Sequence, residues 1–388
     1  MNSEKHWPSL TAAGLAAVVV GFASTILIIM QAADGVGASD AQKISWAATL
    51  CFAMGGLTLW LSWRHRMPMI IAWSTPGAAL MAHGAPGISY AQALGCFAVA
   101  GLLMVATGLL KPLATAIAKI PVAVASAMLA GVLLTYVLKV PVAATALPMQ
   151  VLPLIIVFFA MRMWRPFYAV PAVVMLGLGL AAAFGNLNFG TQVIGFSRLT
   201  FDVPEFAPVA IISLALPLYL VTMASQNLPG FAVLRASGYE PPVSSSLITT
   251  GLASIIMSPF AGPQVNMAAI TASLATGLDA HPDPTQRWKV AIPYVLIYAG
   301  VGLAAGVCVK VLGSLSPDLV HAIAGLALFG PLLGAMVAMM KEPADIEAAL
   351  VTFLVTAADF NLFGVGSAFW GLVAGLVIWG IKKMKESA

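Results

Sequence analysis

Long stretches without Asp, Glu, Lys or Arg occupy most of this sequence and constrain its fold more than any other feature. A helix needs about 20 predominantly apolar residues to cross the hydrocarbon core of a bilayer, and most of the stretches have that length. We therefore predict an all-α protein that crosses a membrane many times. The stretches cover residues 6–33, 44–63, 67–110, 120–138, 140–161, 166–197, 206–234, 241–278, 290–309, 319–340 and 360–381.

The composition excludes several other classes of protein. Of the 388 residues, 61% are hydrophobic and 8% are charged, whereas soluble proteins contain roughly a quarter charged residues. The 18 Lys and Arg residues exceed the 14 Asp and Glu residues by only four, and they are spread along the chain, so no basic surface for nucleic acid is predicted. The apolar stretches do not alternate with polar residues as the strands of an outer-membrane barrel would.

The cysteines and the N-terminal segment give no sign of a cofactor or of processing. Cys51, Cys96 and Cys308 lie inside apolar stretches, and their odd number and lack of a CxxC pair do not suit a disulfide framework or a zinc site. We expect no metal and no cofactor. The first apolar segment lacks a small-residue cleavage site of the usual form, so we expect no removed signal peptide.

The number of crossings follows from the lengths of the stretches. Residues 67–110 and 241–278 are each too long for one helix and are read as two segments, and the shorter apolar piece 348–358 adds another. The total is fourteen. With the N-terminus inside, fourteen Lys and Arg residues fall in inner loops and four in outer loops. This asymmetry is typical of cytoplasmic loops, and it predicts that both termini are cytoplasmic.

Fourteen crossings divide into two halves of seven, and an odd number in each half gives the halves opposite orientations, which is an inverted repeat. The third and tenth segments share an irregularity, namely an extended run, a proline and then small residues. The prolines are Pro76 and Pro263, which are separated by nearly half the chain. Because proline favours an extended residue before it and suits the first turn of a helix, we predict a half-helix that begins inside the membrane at each proline.

Two breaks at matching places predict one shared binding site. Non-helical backbone at membrane depth is tolerated where it lines a cavity or is buried in protein, and the N–H groups at a helix start favour an anion. A kink without function is the alternative for either break alone. The predicted site residues in the breaks are Trp73, Ser74, Thr75, Gly77, Phe260, Gly262, Gln264 and Asn266. Trp73 and Phe260 would supply apolar walls, and the hydroxyl and amide groups would supply hydrogen-bond donors.

The eighth segment contributes a further group of candidates, because adjacent amides in an apolar segment are costly unless they face a cavity or a neighbouring helix. Both of these possibilities stay open. The residues are Tyr219, Ser225, Gln226 and Asn227. Gln31, near the end of the first segment, is a weaker candidate of the same kind.

Three sequence motifs resemble those of the benzoate:proton symporter family of bacterial inner membranes. They are Gly21-Phe22-Ala23-Ser24, the string from Ala72 to Leu80 that contains Trp73-Ser74-Thr75-Pro76-Gly77, and Gly262-Pro263-Gln264 with Asn266. The resemblance extends over essentially the whole chain. It implies a fold related to nucleobase and sulfate-type carriers, in which a core domain of segments 1–4 and 8–11 moves against a gate domain of segments 5–7 and 12–14.

The resemblance also sets the expected domain boundaries and the position of the substrate. The core domain would comprise residues 1–119 and 201–312, and the gate domain residues 120–200 and 313–388. Substrate would lie between the third and tenth segments, beside the eighth. The implied activity is secondary active import of benzoate, or a similar aromatic carboxylate, together with protons.

A departure from nucleobase carriers bears on the substrate. Those carriers are expected to have carboxylates on the eighth and tenth segments, whereas residues 206–234 and 241–278 contain no Asp or Glu. A fixed carboxylate would repel an anionic substrate at low dielectric, so the sequence agrees with a carboxylate substrate. A carrier or channel for another small anion, or for a nucleobase, remains the alternative.

The sequence indicates the proton-coupling group less clearly than the substrate site. Asp34, Asp359, His83 and His321 are the titratable candidates in or beside apolar stretches, and the proton could instead travel on the substrate.

An intramembrane enzyme is a remote alternative because no HExxH motif or pair of catalytic acids is present. The expected partners are the substrate, the proton and the lipid bilayer, without nucleic acid, and a homo-oligomer is compatible with the sequence.

Overall fold

The fold is described from a computed structural model, which defines residues 6–82, 87–110, 121–185, 196–268, 270–278, 280–362 and 365–387. Within these ranges, eight helices are long and apolar enough to cross a membrane, and a ninth is counted if a bent pair forms one span. The chain is therefore a helical membrane protein with many apolar helices.

The described residues of the first half form eight α-helices and one short strand. They are α1 (Trp7–Gly35), α2 (Asp40–His65), β1 (Ile71–Trp73), α3 (Thr75–Ala82), α4 (Tyr90–Leu109), α5 (Val122–Val137), α6 (Lys139–Ala146), α7 (Pro148–Trp164) and α8 (Ala169–Ala183). Ser39 and Ser89 begin α2 and α4 with capping boxes, in which the serine and the glutamine three residues later satisfy each other's backbone N–H groups.

The second half begins with α9, a helix of mixed geometry. Its α-helical parts are Pro208–Ala210, Leu216–Thr222 and Leu228–Ala236, and the π-helical parts Ile211–Ala215 and Met223–Asn227 lie between them. The remaining α-helices and strands of the described residues are α10 (Val243–Met257), β2 (Val265–Met267), α11 (Ile270–Thr276), α12 (Ala291–Leu303), α13 (Ala305–Gly313), α14 (Pro317–Met339), α15 (Ile346–Ala357), β3 (Asn361–Leu362), β4 (Val365–Gly366) and α16 (Ser367–Ser387).

Extensive helix packing falls into two groups. In the first group, α4 packs along α10, α2 along α12, and α1 against α3 and α11. In the second, α5 packs against α14, α15 and α16, and α7 packs against α8. Small residues allow the closest approaches, since a Cβ added to Gly251 of α10 would lie 2.7 Å from the carbonyl oxygen of Gly101 in α4. Close packing through small residues is typical of membrane helices.

The two extended pieces meet in the interior. β1 and β2 pair antiparallel, with Ile71 opposite Met267, Ala72 opposite Asn266 and Trp73 opposite Val265. Each strand is followed by a short helix, α3 or α11. The prediction that a half-helix begins at Pro263 is wrong, because Pro263 precedes β2 and α11 begins at Ile270. The N–H groups of Val265 and Met267 donate to the side-chain oxygens of Ser254 and Asn227, and the Ala268 N–H donates to the Ile70 carbonyl. The chain directly after Pro263 is therefore extended and not helical.

Candidate functional site

Ser74 lies at the junction between β1 and α3 and holds the start of that helix. Its side-chain oxygen accepts a hydrogen bond from the Gly77 N–H at 3.1 Å, and its carbonyl oxygen accepts one from the Ala78 N–H at 2.8 Å. The first N–H groups of a helix have no acceptor within the helix. Ser74 supplies acceptors for those of Gly77 and Ala78, and Pro76 has no N–H group that would need one. Ser74 is buried.

Thr222 connects this junction to the other strand. Its hydroxyl lies 2.8 Å from the Ser74 side-chain oxygen and 3.4 Å from Oε1 of Gln264. Thr222 is the last residue of the central α-helical part of α9 and is directly followed by the π-helical turn Met223–Asn227. Single π-helical turns are frequent at functional sites. One hydroxyl thus brings three elements of the predicted site together.

Gln264 and Asn266 supply the amides of this group. Both are buried, and Nε2 of Gln264 has no hydrogen-bond partner among the described residues. When the Asn266 amide is oriented to satisfy its neighbours, its oxygen accepts from the Ser74 N–H at 3.0 Å and its nitrogen donates to the Met267 carbonyl at 2.9 Å. Asn266 is therefore engaged by backbone groups, whereas Gln264 has donor capacity left over. We call Ser74, Thr222, Gln264 and Asn266 the polar junction.

Trp73 is fixed beside the polar junction by α1. Its indole N–H donates to the Thr25 hydroxyl at 2.6 Å, and this hydroxyl donates to the Gly21 carbonyl at 2.6 Å. The Phe22 and Trp73 rings lie 5.7 Å apart between centroids. The Gly21-Phe22 motif and the Trp73 motif are thus in direct contact, and they form an aromatic wall at the end of β1.

The two predicted glycines are needed for close packing. A Cβ on Gly77 would lie 2.6 Å from Cδ1 of Leu218 in α9 and 2.8 Å from the Ser74 side-chain oxygen. A Cβ on Gly262 would lie 2.6 Å from Cβ of Met257 and 2.8 Å from Cγ2 of Thr49. All four distances are shorter than Cβ contacts found in proteins, so each glycine permits an approach that a larger residue would prevent.

The four predicted site residues of α9 form hydrogen bonds with different parts of the molecule or lie without one joining them to the polar junction. Tyr219 is buried and its hydroxyl hydrogen bonds with Thr107 of α4. Oδ1 of Asn227 accepts from the Met267 N–H at 3.0 Å, so Asn227 supports β2. The Ser225 hydroxyl donates to the Val221 carbonyl within the helix, and Gln226 is half-buried. None of these hydrogen bonds joins the four candidates to Gln264.

Phe260 and Thr75 lie at the margins of this region. The Phe260 carbonyl accepts hydrogen bonds from the hydroxyls of Ser45 and Thr49 at 2.9 and 3.0 Å, and its ring contacts Phe201 at 5.5 Å. Phe260 therefore joins the start of α2 to the segment before α9. Thr75 is the first residue of α3 and is half-buried.

Three candidates lie together at a cavity of about 770 Å³ near the end of α1. Gln31, Asp34 and His321 line it, and the polar junction does not. Asp34 pairs with Lys43 at 2.5 Å. Asp359 lies elsewhere, exposed after α15 with a left-handed backbone (φ 49°), and His83 lies outside the described residues. No group of three or more His, Cys, Asp or Glu residues within the described ranges could hold a metal ion.

Sequence reasoning missed Thr222 and Thr25. Both are single hydroxyls in apolar helices, and such residues usually bond only to their own helix, so their type gave no signal. The π-helical turn in α9 was also missed, although it contains Ser225, Gln226 and Asn227. What could have drawn attention to Thr222 is its position three residues before this polar run.

The architecture defines a class of protein, a helical membrane protein with many apolar helices. It is similar to the transmembrane domain of a cyanobacterium bicarbonate transporter, BicA, with a TM-score of 0.59 and 14% identity over 97% of this chain and 98% of that one. It is also similar to the murine Solute Carrier 26 family member A9 anion transporter in the inward-facing state, with a TM-score of 0.63 and 12% identity over 100% of this chain and 70% of that one. At such identities these likenesses show the fold alone.

Sequence comparison assigns the family. Residues 4–381 match the model of the benzoate membrane transport protein family, BenE, and the chain belongs to that family. It is 38% identical to the inner membrane protein YdcO of Escherichia coli over 96% of this chain and 95% of the relative. It is 31% identical to the benzoate membrane transport protein of Acinetobacter baylyi over 96% of this chain and 94% of the relative. The chain is therefore a membrane transporter and not an enzyme.

Proposed function

We propose that this protein is a secondary active transporter that imports benzoate, or a similar aromatic carboxylate, with protons by alternating access. The observation that supports this most directly is the polar junction, where the buried Gln264 amide nitrogen has no acceptor among the residues that the structure describes and where none of the four side chains is a carboxylate. The benzoate membrane transport protein of Acinetobacter baylyi supports the choice of ligand class.

The chemistry of the polar junction suits an anion. A buried amide N–H₂ that lacks an acceptor carries a desolvation penalty of about 1–3 kcal/mol, and a carboxylate oxygen placed against it removes this penalty. Hydrogen bonds to a charged acceptor are roughly twice as strong as those between neutral groups. The Trp73 and Phe22 rings nearby provide an apolar surface for an aromatic ring.

For the architecture, we propose fourteen crossing segments arranged as an inverted seven-plus-seven repeat. In this arrangement β1 with α3, and β2 with α11, are the broken third and tenth segments. The proposed core domain comprises residues 1–119 and 201–312, and the gate domain residues 120–200 and 313–388. The two packing groups of helices support this division, because α4 packs along α10 in one and α5 packs against α14 and α15 in the other.

For orientation, we propose the bacterial inner membrane with both termini in the cytoplasm. The inner membrane protein YdcO supports the location, and the distribution of Lys and Arg supports the orientation. The proton would bind at Asp34 or His321, which line the cavity, or would travel on the substrate. The exposed position of Asp359 gives it no such support.

A carrier of another small anion is the second candidate function. It is favoured by the fold, which is shared with proteins described as a bicarbonate transporter and an anion transporter. The apolar rings beside the polar junction favour an aromatic acid over an inorganic anion.

The proposal is tested in proteoliposomes that contain the purified protein. With an inward pH gradient, labelled benzoate should accumulate faster and to a higher level than in protein-free liposomes, which neutral benzoic acid enters by diffusion, and a protonophore should release it. Gradient-independent equilibration would indicate a channel, and absence of benzoate uptake alongside uptake of bicarbonate or sulfate would favour the second candidate.

The Gln264→Glu variant tests the position of the site. A carboxylate at this buried position should repel the substrate, and we expect benzoate uptake to fall at least about 100-fold, the effect of several kcal/mol at low dielectric. Gln286→Glu is the matched control, because it adds the same charge in the turn before α12. Equal uptake by the two variants would exclude the polar junction as the substrate site.

A further inference from the structure

A second place in the molecule has the chemistry to bind a carboxylate, namely the cavity of about 770 Å³ near the end of α1. Cavities that hold small molecules have volumes of roughly 300–1,000 Å³ and combine mainly apolar walls with a few polar groups. The cavity is bounded by α1, α2, α13, α14 and the segment 196–200. Its apolar walls include Leu27, Phe196 and Val320.

The charged residues at the cavity leave a positive balance. Three cationic side chains, Lys43, Arg198 and Lys310, and two anionic ones, Asp34 and Asp40, line it, and His321 adds a titratable group. Both acids are paired with the same lysine, since Lys43 Nζ lies 2.5 Å from Asp34 and 3.3 Å from Asp40. Lys43 is therefore shared between two carboxylates, and the Arg198 charge has no ion pair within the described residues.

Gln31 provides a directional hydrogen-bonding group at the same cavity. Its Oε1 and Nε2 are both buried and have no hydrogen-bond partner among the described residues. Buried polar atoms are rarely left in this state. An amide N–H₂ and a guanidinium on the walls of one cavity that also has apolar surfaces form a recognition pattern for a carboxylate that is attached to an apolar group.

We infer that this cavity is a second binding site, which takes an aromatic carboxylate through Arg198 and Gln31 before the substrate reaches the polar junction. The inference rests on the proposed function for the identity of its ligand. The carboxylate lies against Arg198 and the Gln31 amide, and the ring packs on Leu27, Phe196 and Val320. The cationic wall raises the local concentration of the anion, so the site acts mainly at low substrate concentration.

The inference is tested by equilibrium binding of labelled benzoate to the purified protein and to variants. Wild-type protein should bind two benzoates per chain. Gln264→Glu should retain one site, and the double variant that adds Arg198→Gln should retain none. In uptake assays, Arg198→Gln alone should raise KM about two- to tenfold with little change in maximal rate, and the increase should shrink at high salt.

Arg165→Gln is the matched control, because Arg165 is also exposed and follows the end of α7, away from the cavity. It should leave KM and binding unchanged. Thermal unfolding of both variants should match the wild type, because both arginines are exposed.

The failure of this inference differs from the failure of the proposed function. One benzoate per chain, lost entirely in Gln264→Glu, with an unchanged KM in Arg198→Gln, would overturn the second site and leave the proposed function standing. Absence of benzoate binding to the wild type would overturn both. Acetate as a competitor tests the ring contacts, and competition equal to that of benzoate would overturn the aromatic specificity.

Discussion

At the scale of single residues, the polar junction is built from hydroxyl and amide side chains and contains no charged one. Thr222 is the least expected of these, because its single oxygen links α9 to Ser74, which follows β1, and to Gln264, which precedes β2. A threonine hydroxyl has one hydrogen and two acceptor positions, so it donates to Ser74 or to Gln264 at any moment, but not to both.

Replacement of Thr222 by valine keeps the shape of the side chain and removes the hydroxyl. We expect benzoate affinity to fall by about 0.5–3 kcal/mol, since the Gln264 amide loses the group that orients it. Binding of labelled benzoate measures the change. Thr145→Val is the control, because the Thr145 hydroxyl is exposed and bonds only within its own helix; equal loss in both variants would contradict a specific role of Thr222.

A second residue-scale prediction concerns pH and lies in the turn before α12. The Thr285 hydroxyl and N–H donate to the Asp283 carboxylate at 2.7 and 2.8 Å, and they lower the pKa of Asp283 below its ordinary value. A lowered folded-state pKa means that the stabilisation is present above the unfolded-state pKa, about 3.9, and is lost as the pH falls through the folded-state pKa. Asp283→Asn should therefore reduce the acid-induced loss of thermal stability, and an unchanged pH profile would contradict this.

At the scale of secondary-structure elements, close approach of helices depends on glycine. Gly251 of α10 and Gly101 of α4 lie against each other, and a Cβ on Gly251 would also lie 2.8 Å from Cγ2 of Val105. Gly251→Ala should lower stability by about 1–3 kcal/mol through overpacking. Thermal unfolding in detergent measures this.

Gly56→Ala is the control for Gly251→Ala. Gly56 lies on α2 with nothing within 4 Å of an added Cβ, so alanine should be neutral or slightly stabilising there because glycine is a poor helix former. Similar melting temperatures for the two variants would show that α4 and α10 can separate at little cost.

The helices and strands also show which structural features could be predicted from the sequence and which could not. Long apolar runs identify helices such as α1 and α2 because the bilayer sets their length, and the Trp73-Ser74-Thr75-Pro76 string indicates the change from extended chain to α3. The start of α11 was misplaced at Pro263 because proline is compatible with both a helix start and an extended chain. The pairing of β1 with β2, and the position of Thr222 beside them, depend on contacts between residues that are far apart in the sequence. A local sequence pattern cannot predict such contacts.

At the scale of the whole molecule, transport by alternating access requires the proposed core and gate domains to move relative to each other. A hydrogen bond crosses this boundary, since the hydroxyl of Tyr136 in α5 donates to the Ala79 carbonyl of α3 at 2.9 Å. Both residues are buried. A buried carbonyl that loses its donor is costly, so this bond favours the described arrangement over any in which α3 and α5 separate.

Tyr136→Phe removes only this donor and should shift the balance between conformations. The loss of about 0.5–1.5 kcal/mol should raise the population in which α3 is released from α5 about two- to tenfold. Hydrogen exchange of residues 75–82 should accelerate by the same factor, with little change in α2. Tyr168→Phe is the control, because Tyr168 is exposed. If exchange in α3 is unchanged, or if it accelerates equally in α2, the bond does not restrain movement between the domains. Loss of a restraint at this boundary should affect α3 before other helices, because the Ala79 carbonyl of α3 accepts the bond.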